Sequence, residues 1–210
     1  MTLRRSSYRS LASLQRDNRR CRACAEAGFP LESHPVLEGH AGQRAYIYGQ
    51  SPGVIEGAER RPWRGRAGQN LRRWLGLDEE TFYATFYCAS VTRCYPGRSR
   101  SGSGDRVPAR PEQELCSFWL HWELRLLRPE LILTVGGLAT RRLVPNRSLD
   151  ESIGTTFEHA GATVIPLPHP SGVSRWLNAP ENRVRLDDAL ALIRHRLDAL
   201  TPRGGARPGG

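Results

Sequence analysis

The stretch Val164-Ile165-Pro166-Leu167-Pro168-His169-Pro170-Ser171-Gly172 decides the fold. A short apolar run with β-branched residues ends at prolines and then places a histidine, a serine and a glycine on a loop. This pattern is typical of an α/β protein, in which ligands bind at the carboxyl ends of parallel strands. A histidine there can be a neutral hydrogen-bond donor, a proton carrier or a metal ligand. It can also be a turn residue without a function, and a second His-Pro pair at His34-Pro35 shows that the dipeptide alone carries little information.

Three more segments share the character of this strand, and helical patterns separate them. Short apolar runs that each stop at glycine or proline favour buried parallel strands. The predicted strands are Ala45–Tyr48, Phe82–Val91, Leu131–Val135 and Ala162–Leu167, and the predicted helices cover Asn70–Leu77, Pro111–Leu127 and Leu186–Leu197. Strands that alternate with helices predict an α/β fold, a three-layer α/β/α sandwich with a central, mainly parallel four-stranded sheet.

Length and composition fit one folded domain. The chain has 210 residues, of which 39% are hydrophobic and 25% charged, as in globular proteins. We expect a basic N-terminal segment at residues 1–20, the folded domain at residues 21–200 and a disordered tail, rich in Pro, Gly and Arg, at residues 201–210. The polar, glycine-rich and basic segment Pro96–Arg110 is predicted to be mobile.

The charge of the chain favours a polyanionic partner. It carries 31 Lys and Arg residues against 21 acids, a formal net charge of +10. Nucleic acid is the first candidate for such a partner, although the same excess can serve solubility alone. No apolar run approaches the roughly 20 residues of a membrane span, and no apolar core of a secretory signal follows Met1–Ser6. We therefore expect a cytoplasmic monomer without a membrane partner.

The cysteines favour a metal site over disulfides. There are five, and an odd number in a chain expected to lack a signal argues against a disulfide framework. Cys21-Arg22-Ala23-Cys24 has the spacing of metal ligands, and Cys94 and Cys116 could complete a four-thiolate site. A single CxxC also occurs in redox enzymes, and a zinc-stabilised nucleic-acid module remains an alternative. Cys88, inside the second predicted strand, is expected to be a small buried side chain.

Two loops after the first strand have features of a ligand site. Gly49-Gln50-Ser51-Pro52-Gly53 follows the strand directly, and its glycines would let the backbone approach a ligand closely. The segment Pro62–Gly68 supplies a tryptophan, two arginines and a helix start, a combination that suits a stacked base beside a phosphate. The first loop could also be an ordinary α/β connection, and Trp63 could be a cap on the core.

Taken together, these motifs resemble the uracil-DNA glycosylase superfamily, and most closely its iron–sulfur branch, family 4. The matching segments, in the order of the family, are Gly49–Gly53 with Glu56, Pro62–Gly68, Ser90–Gly97, Cys116, Val135–Ala139 and His169–Ser171. Each motif is loose alone, but six in order make a specific match. The resemblance extends from Cys21 to about Leu197.

The resemblance implies a DNA repair glycosylase that flips uracil, and other deaminated bases in some cases, out of single- or double-stranded DNA and cleaves the N-glycosidic bond. It also implies a structural [4Fe–4S] cluster on Cys21, Cys24, Cys94 and Cys116. The residues expected at the catalytic centre are His169, Glu56, Gln50 and Ser51. The residues expected to bind the substrate are Gly49, Gly53, Trp63, Ser90, Ser171 and Arg175.

The chain departs from the family at three pocket positions. Gln50 stands where the family has an acid, Ser51 where other branches have Asp or Asn, and Ser90 where an asparagine reads the base. His169, as a neutral donor to the departing base, would then carry most of the chemistry, and Glu56 is the best remaining acid. The alternative is an iron–sulfur protein that binds damaged or single-stranded DNA with little or no catalysis.

Other residues are expected to contribute to base reading and DNA contact. Asn70 or Gln50 could replace the missing base-reading amide. Arg64, Arg66 and the arginines of Pro96–Arg110 would grip phosphates without reading sequence. The residues that follow the histidine motif would either wedge the gap left by a flipped base or pack inward. They are Val173, Arg175, Trp176 and Leu177.

Overall fold

The computed structural model describes residues 4–100, 104–171 and 176–200 and has one five-stranded sheet at its centre. The strands are β1 (Ala45–Gly49), β2 (Phe86–Ser90), β3 (Leu131–Val135), β4 (Phe157–His159) and β5 (Ala162–Leu167). The helices are α1 (Leu11–Arg19), α2 (Ala23–Glu26), α3 (Val54–Glu59), α4 (Arg66–Leu75), α5 (Glu79–Thr85), α6 (Arg110–Leu127), α7 (Gly137–Leu143), α8 (Leu149–Ser152) and α9 (Pro180–Leu200), with a 3-10 turn at Trp176–Asn178.

The sheet order is β2-β1-β3-β5-β4, and every pairing is parallel except that of β4 with β5. The predicted α/β fold with a mainly parallel sheet is confirmed, with one strand more than the four expected. The extra strand, β4, is a short edge strand of only three residues, so it has no apolar run that a sequence pattern could reveal. It reaches β5 through a tight turn at Ala160 and Gly161, both at positive φ.

The second strand is shorter than its apolar run. The sequence predicts a strand over Phe82–Val91, but the first part of this run belongs to α5. The carboxylate of Asp78 accepts a hydrogen bond from the backbone N–H of Thr81 at 2.7 Å and so caps the helix. The strand begins only at Phe86, because this cap commits the preceding turn to helix.

Helices cover both faces of the sheet, which gives the three layers. On one face Tyr46, Tyr87 and Ile132 pack with α1 and α6 around the fully buried Trp119. On the other face Ile47, Cys88, Leu133 and Ile165 pack against α4, α5 and α9. Strands buried on both faces are expected to be apolar at nearly every position, and these are.

The ends of the chain and the basic segment differ in how they are held. In the N-terminal segment, Leu11 and Leu14 are buried in the same cluster as Trp119, so α1 packs as part of the folded unit. The predicted tail at residues 201–210 lies outside the described residues. Within Pro96–Arg110, Arg98 pairs in antiparallel fashion with Asp105, and the Ser99 N–H donates to Gly104 O at 3.0 Å.

None of the described helices is long and apolar enough to cross a membrane.

Candidate active site

A pocket of about 280 Å³ opens at the carboxyl ends of β1, β2 and β5. Parallel strands bring their carboxyl ends to one edge of a sheet, so the loops that follow them converge. Most of the predicted site residues line this pocket: Gly49, Gln50, Ser51, Gly53, Glu56, Trp63, Ser90, His169 and Ser171. Arg175, predicted to bind the substrate, lies outside the described residues.

The His169 ring is held in one tautomer. Its Nδ1 lies 3.3 Å from the backbone nitrogen of Ser171, and a backbone N–H can only donate. Nδ1 is therefore the acceptor, and the proton of a neutral ring is on Nε2. Desolvation by the surrounding protein lowers the pKa of His169, although the ring is open to the pocket, and the charges of Asp105 and Glu56 oppose this effect. The lowered pKa and the contact with Ser171 together favour a neutral ring that donates through Nε2.

Asn70 fixes the loop that carries this histidine. Its side-chain amide donates to Pro170 O at 2.8 Å, and its carbonyl oxygen accepts from Arg73. Both ends of the Asn70 side chain are therefore engaged outside the pocket. The hypothesis that Asn70 replaces the base-reading amide does not fit this arrangement, and its position beside the His169 loop was not predicted.

Glu56 joins the two loops on the opposite side of the pocket. One carboxylate oxygen accepts from the backbone N–H of Gly53 at 3.1 Å, and the other accepts from that of Gly65 at 2.7 Å. The first bond closes the N-terminus of α3, and the second lies at the N-terminus of α4. Because both oxygens hold backbone, the geometry fits a residue that positions the loops better than one that activates water.

Trp63 lies against the end of the first strand. Its backbone has φ +60°, in the left-handed region, and its carbonyl accepts from the Arg72 guanidinium at 2.9 Å. A Cβ on Gly68 would lie 1.8 Å from that carbonyl oxygen, so only glycine fits there. The indole ring passes close to Gly49: a Cβ added to Gly49 would lie 3.0 Å from the nearest atom of the ring. The indole thus both packs on the core and forms one wall of the pocket.

The Ser90 hydroxyl already donates its hydrogen bond within the protein. The Ser90 Oγ donates to Thr92 O at 2.8 Å, and the Ser90 carbonyl accepts from the buried guanidinium of Arg93. The Oγ lone pairs remain for the pocket, so this serine can act as an acceptor toward a bound base. Gln50 is held by its backbone, since its carbonyl accepts from the Thr92 N–H at 3.2 Å.

Asp105 is a pocket residue that the sequence did not indicate. It is the single acid of the basic segment Pro96–Arg110, which was predicted to be mobile. The Tyr95 hydroxyl donates to its Oδ1 at 3.2 Å, and its Oδ2 lies 3.4 Å from where a Cβ on Gly53 would stand. A lone acid inside a run of arginines is the only sequence signal for it.

The four predicted cluster ligands meet in a second, small cavity. Cys21, Cys24, Cys94 and Cys116 are all buried and line it together. Burial, with neighbouring thiols as a smaller cause, raises the pKa of Cys24 to about 12, and burial also raises the pKa values of Cys94 and Cys116. The four thiols are therefore neighbours, whereas Cys88 is buried within β2 on the other face. Among the described residues, no three His, Cys, Asp or Glu side chains are arranged to hold a single metal ion.

Comparison with known proteins decides the family. The model of the uracil DNA glycosylase superfamily matches residues 38–192, most of the chain. The chain belongs to this superfamily. The matched range begins ahead of β1 and extends into α9, and it includes every pocket residue named above and two of the four clustered thiols.

Several relatives of this superfamily member carry one name. It is 28% identical over 177 residues to a type-4 uracil-DNA glycosylase of Thermotoga maritima. The aligned region covers 80% of this chain and 87% of the relative. It is 27% identical over 181 residues to the type-4 enzyme of Saccharolobus solfataricus, with 81% and 79% covered. It is 25% identical over 207 residues to that of Sulfurisphaera tokodaii, with 92% and 87% covered.

In this glycosylase-superfamily chain, two of the residues that follow the histidine motif are engaged with the protein. The Trp176 indole donates to the Asp150 carboxylate, and Trp176 and Leu177 pack against the core. Both therefore follow the inward alternative, while Val173 and Arg175 lie outside the described residues.

The arginines near the pocket also divide into paired and unpaired ones. Arg64 forms ion pairs with Glu59 at 2.6 Å and with Glu79. Arg66 lines the pocket, and no carboxylate of the described residues forms an ion pair with it. Arg66 is therefore better placed than Arg64 to meet a phosphate.

Proposed function

We propose that this protein is a monofunctional uracil-DNA glycosylase of base excision repair, which hydrolyses the bond between uracil and deoxyribose. One observation supports it above the others: His169, whose Nδ1 faces the Ser171 N–H so that Nε2 is left to donate, lines the pocket formed by the Gly49–Gly53 loop and Trp63. The names of the relatives support the same substrate. DNA, single- or double-stranded, is the proposed partner of a cytoplasmic monomer.

Uracil would enter the pocket only after it leaves the base stack. Extrusion of a nucleotide costs a few kcal/mol, which stacking on Trp63 and contacts of Arg66 with the backbone would offset. The glycines at positions 49 and 53 would let the backbone of this loop approach the base closely. Ser90, whose own proton is bound to Thr92 O, would accept the imide N–H of uracil. Ser171 and Arg175 would complete the contacts.

Bond cleavage leaves an electron pair on uracil and positive charge on the sugar. The electrons spread onto the uracil carbonyl oxygens, and His169 Nε2–H would donate to one of them. A donor already in place stabilises this charge without reorganisation, and loss of such a donor costs about 2.7–4 kcal/mol in comparable sites. Water then adds to C1′, with Gln50 and Ser51 close to its path and Glu56 holding the loops.

We further propose that Cys21, Cys24, Cys94 and Cys116 hold a [4Fe–4S] cluster. The fit rests on four buried thiols around one cavity, the donor set of such clusters. Bound there, the cluster would supply structural cross-links between α2, the segment after β2 and α6. The backbone N–H of Arg93, 3.4 Å from the Cys116 sulfur, is a further donor to this site.

The decisive experiment measures abasic product from a uracil-containing oligonucleotide at enzyme excess. We expect wild-type protein to release uracil and His169→Ala to do so about 10²–10³-fold more slowly. His195→Ala is the matched control, because His195 is exposed on α9. The rival function, a binder of damaged or single-stranded DNA, is favoured by the neutral residues at positions 50, 51 and 90. DNA binding by wild-type protein without abasic product would support that rival and contradict the glycosylase.

A further inference from the structure

None of the residues predicted for the catalytic centre offers a carboxylate oxygen free of backbone hydrogen bonds to activate water. Gln50 and Ser51 carry no charge, and both oxygens of Glu56 accept backbone N–H groups. Of the described residues that line the pocket, only Glu56 and Asp105 are acids. Asp105 is therefore the remaining carboxylate in the lining of the pocket.

The backbone of Asp105 is held by pairing with a neighbouring segment. Asp105 forms an antiparallel bridge with Arg98, and next to it the Arg106 N–H donates to Gly97 O at 2.9 Å. The Arg106 guanidinium binds the Glu112 carboxylate at 2.6 and 2.8 Å, and Glu112 is only 1% exposed. This bidentate ion pair, with a buried carboxylate and a partly exposed guanidinium, lies one residue away and anchors the backbone beside the acid.

The side chain of Asp105 is aimed by a buried tyrosine. Tyr95, 3% exposed, donates its hydroxyl to Oδ1 at 3.2 Å. A carboxylate can accept about four hydrogen bonds, so capacity remains on the side that faces Gly53 and the pocket. The Asp105 charge also acts on His169 across this space. The acid and the imidazole therefore face one cavity from different loops.

We propose that Asp105 is a catalytic residue that binds the attacking water and takes its proton, given the glycosylase function proposed above. The bond from C1′ to uracil N1 breaks, and its electron pair leaves with uracil. The water oxygen bonds to C1′, and one water proton passes to the Asp105 carboxylate. That proton returns to solvent, and uracil takes one from solvent, so the products are free uracil and an abasic site.

Single-turnover uracil release by full-length protein tests this role. Asp105→Asn should slow release by about 10²-fold or more, the usual contribution of a positioned base, with DNA affinity unchanged. Exogenous formate or azide should partly restore the rate of Asp105→Ala, because a small anion can occupy the vacated site. Asp187→Asn, an exposed position on α9, is the matched control and should retain the wild-type rate.

A double-mutant cycle with Tyr95→Phe tests the positioning of this acid. Loss of the hydroxyl should slow wild-type protein by a smaller factor and should have no further effect in Asp105→Asn, because both act through one carboxylate. Additive effects would contradict the positioning.

The remaining outcomes separate the two proposals. A wild-type rate in Asp105→Asn, or a loss confined to DNA affinity, would overturn Asp105 and leave the glycosylase standing. No uracil release by wild-type protein would instead overturn the glycosylase itself.

Discussion

At the scale of single residues, the site depends on side chains that form hydrogen bonds with backbone groups of the surrounding loops. His169 is useful as a donor only because the Ser171 N–H occupies its Nδ1. Glu56 bonds to two loops at once, and Asn70 holds the carbonyl of Pro170. Motif matching can suggest that such residues matter, but it cannot reveal which backbone atoms they meet.

Glu56→Gln tests this role at one residue. Glutamine keeps one acceptor oxygen and turns an NH₂ toward the other backbone N–H, so two donors meet. We expect the free energy of unfolding to fall by about 1–3 kcal/mol, together with a slower uracil release. Glu59→Gln on the same helix is the control, because it breaks only an exposed ion pair worth roughly 0–1 kcal/mol. Equal stability of the two variants in urea would contradict the role.

At the scale of elements, the sequence predicted those strands whose limits are set by local residue patterns. The apolar runs of β1, β3 and β5 end where the prediction placed them, within one residue, because each stops at glycine or proline. Two features were missed because neither contains an apolar run. The edge strand β4 has only three residues and exists through its pairing with β5, and Asp105 is placed beside the pocket by its pairing with Arg98 and by the neighbouring ion pair of Arg106 with Glu112.

The thiol cavity is the other place where separate elements meet. Cys24 lies on α2, Cys116 on α6, and Cys94 follows β2. We expect purified protein to contain about four iron atoms per chain with broad visible absorption, and Cys94→Ala to lose both. Cys88→Ala is the control, because Cys88 is buried in the opposite face of the sheet. Colourless protein with one bound zinc would contradict the cluster.

At the scale of the whole molecule, the parallel sheet explains why distant motifs share a site. Segments from Gly49 to Ser171 reach one edge because β1, β2 and β5 run in the same direction. Four of the strands, β1, β2, β3 and β5, are buried at every position and support this edge from within the core. The net charge of +10 is also a property of the whole molecule, and it favours encounter with a polyanion without choosing a sequence.

The central claim is that His169 acts as a neutral donor through Nε2. Nitrogen-15 NMR of the imidazole, assigned by comparison with His169→Ala, tests it most directly. We predict a neutral ring at pH 7 with the proton on Nε2. Because desolvation lowers the pKa of this residue, we expect the ring to gain charge only below the ordinary histidine value of about 6.5. An imidazolium at pH 7, or a neutral ring with the proton on Nδ1, would contradict the account.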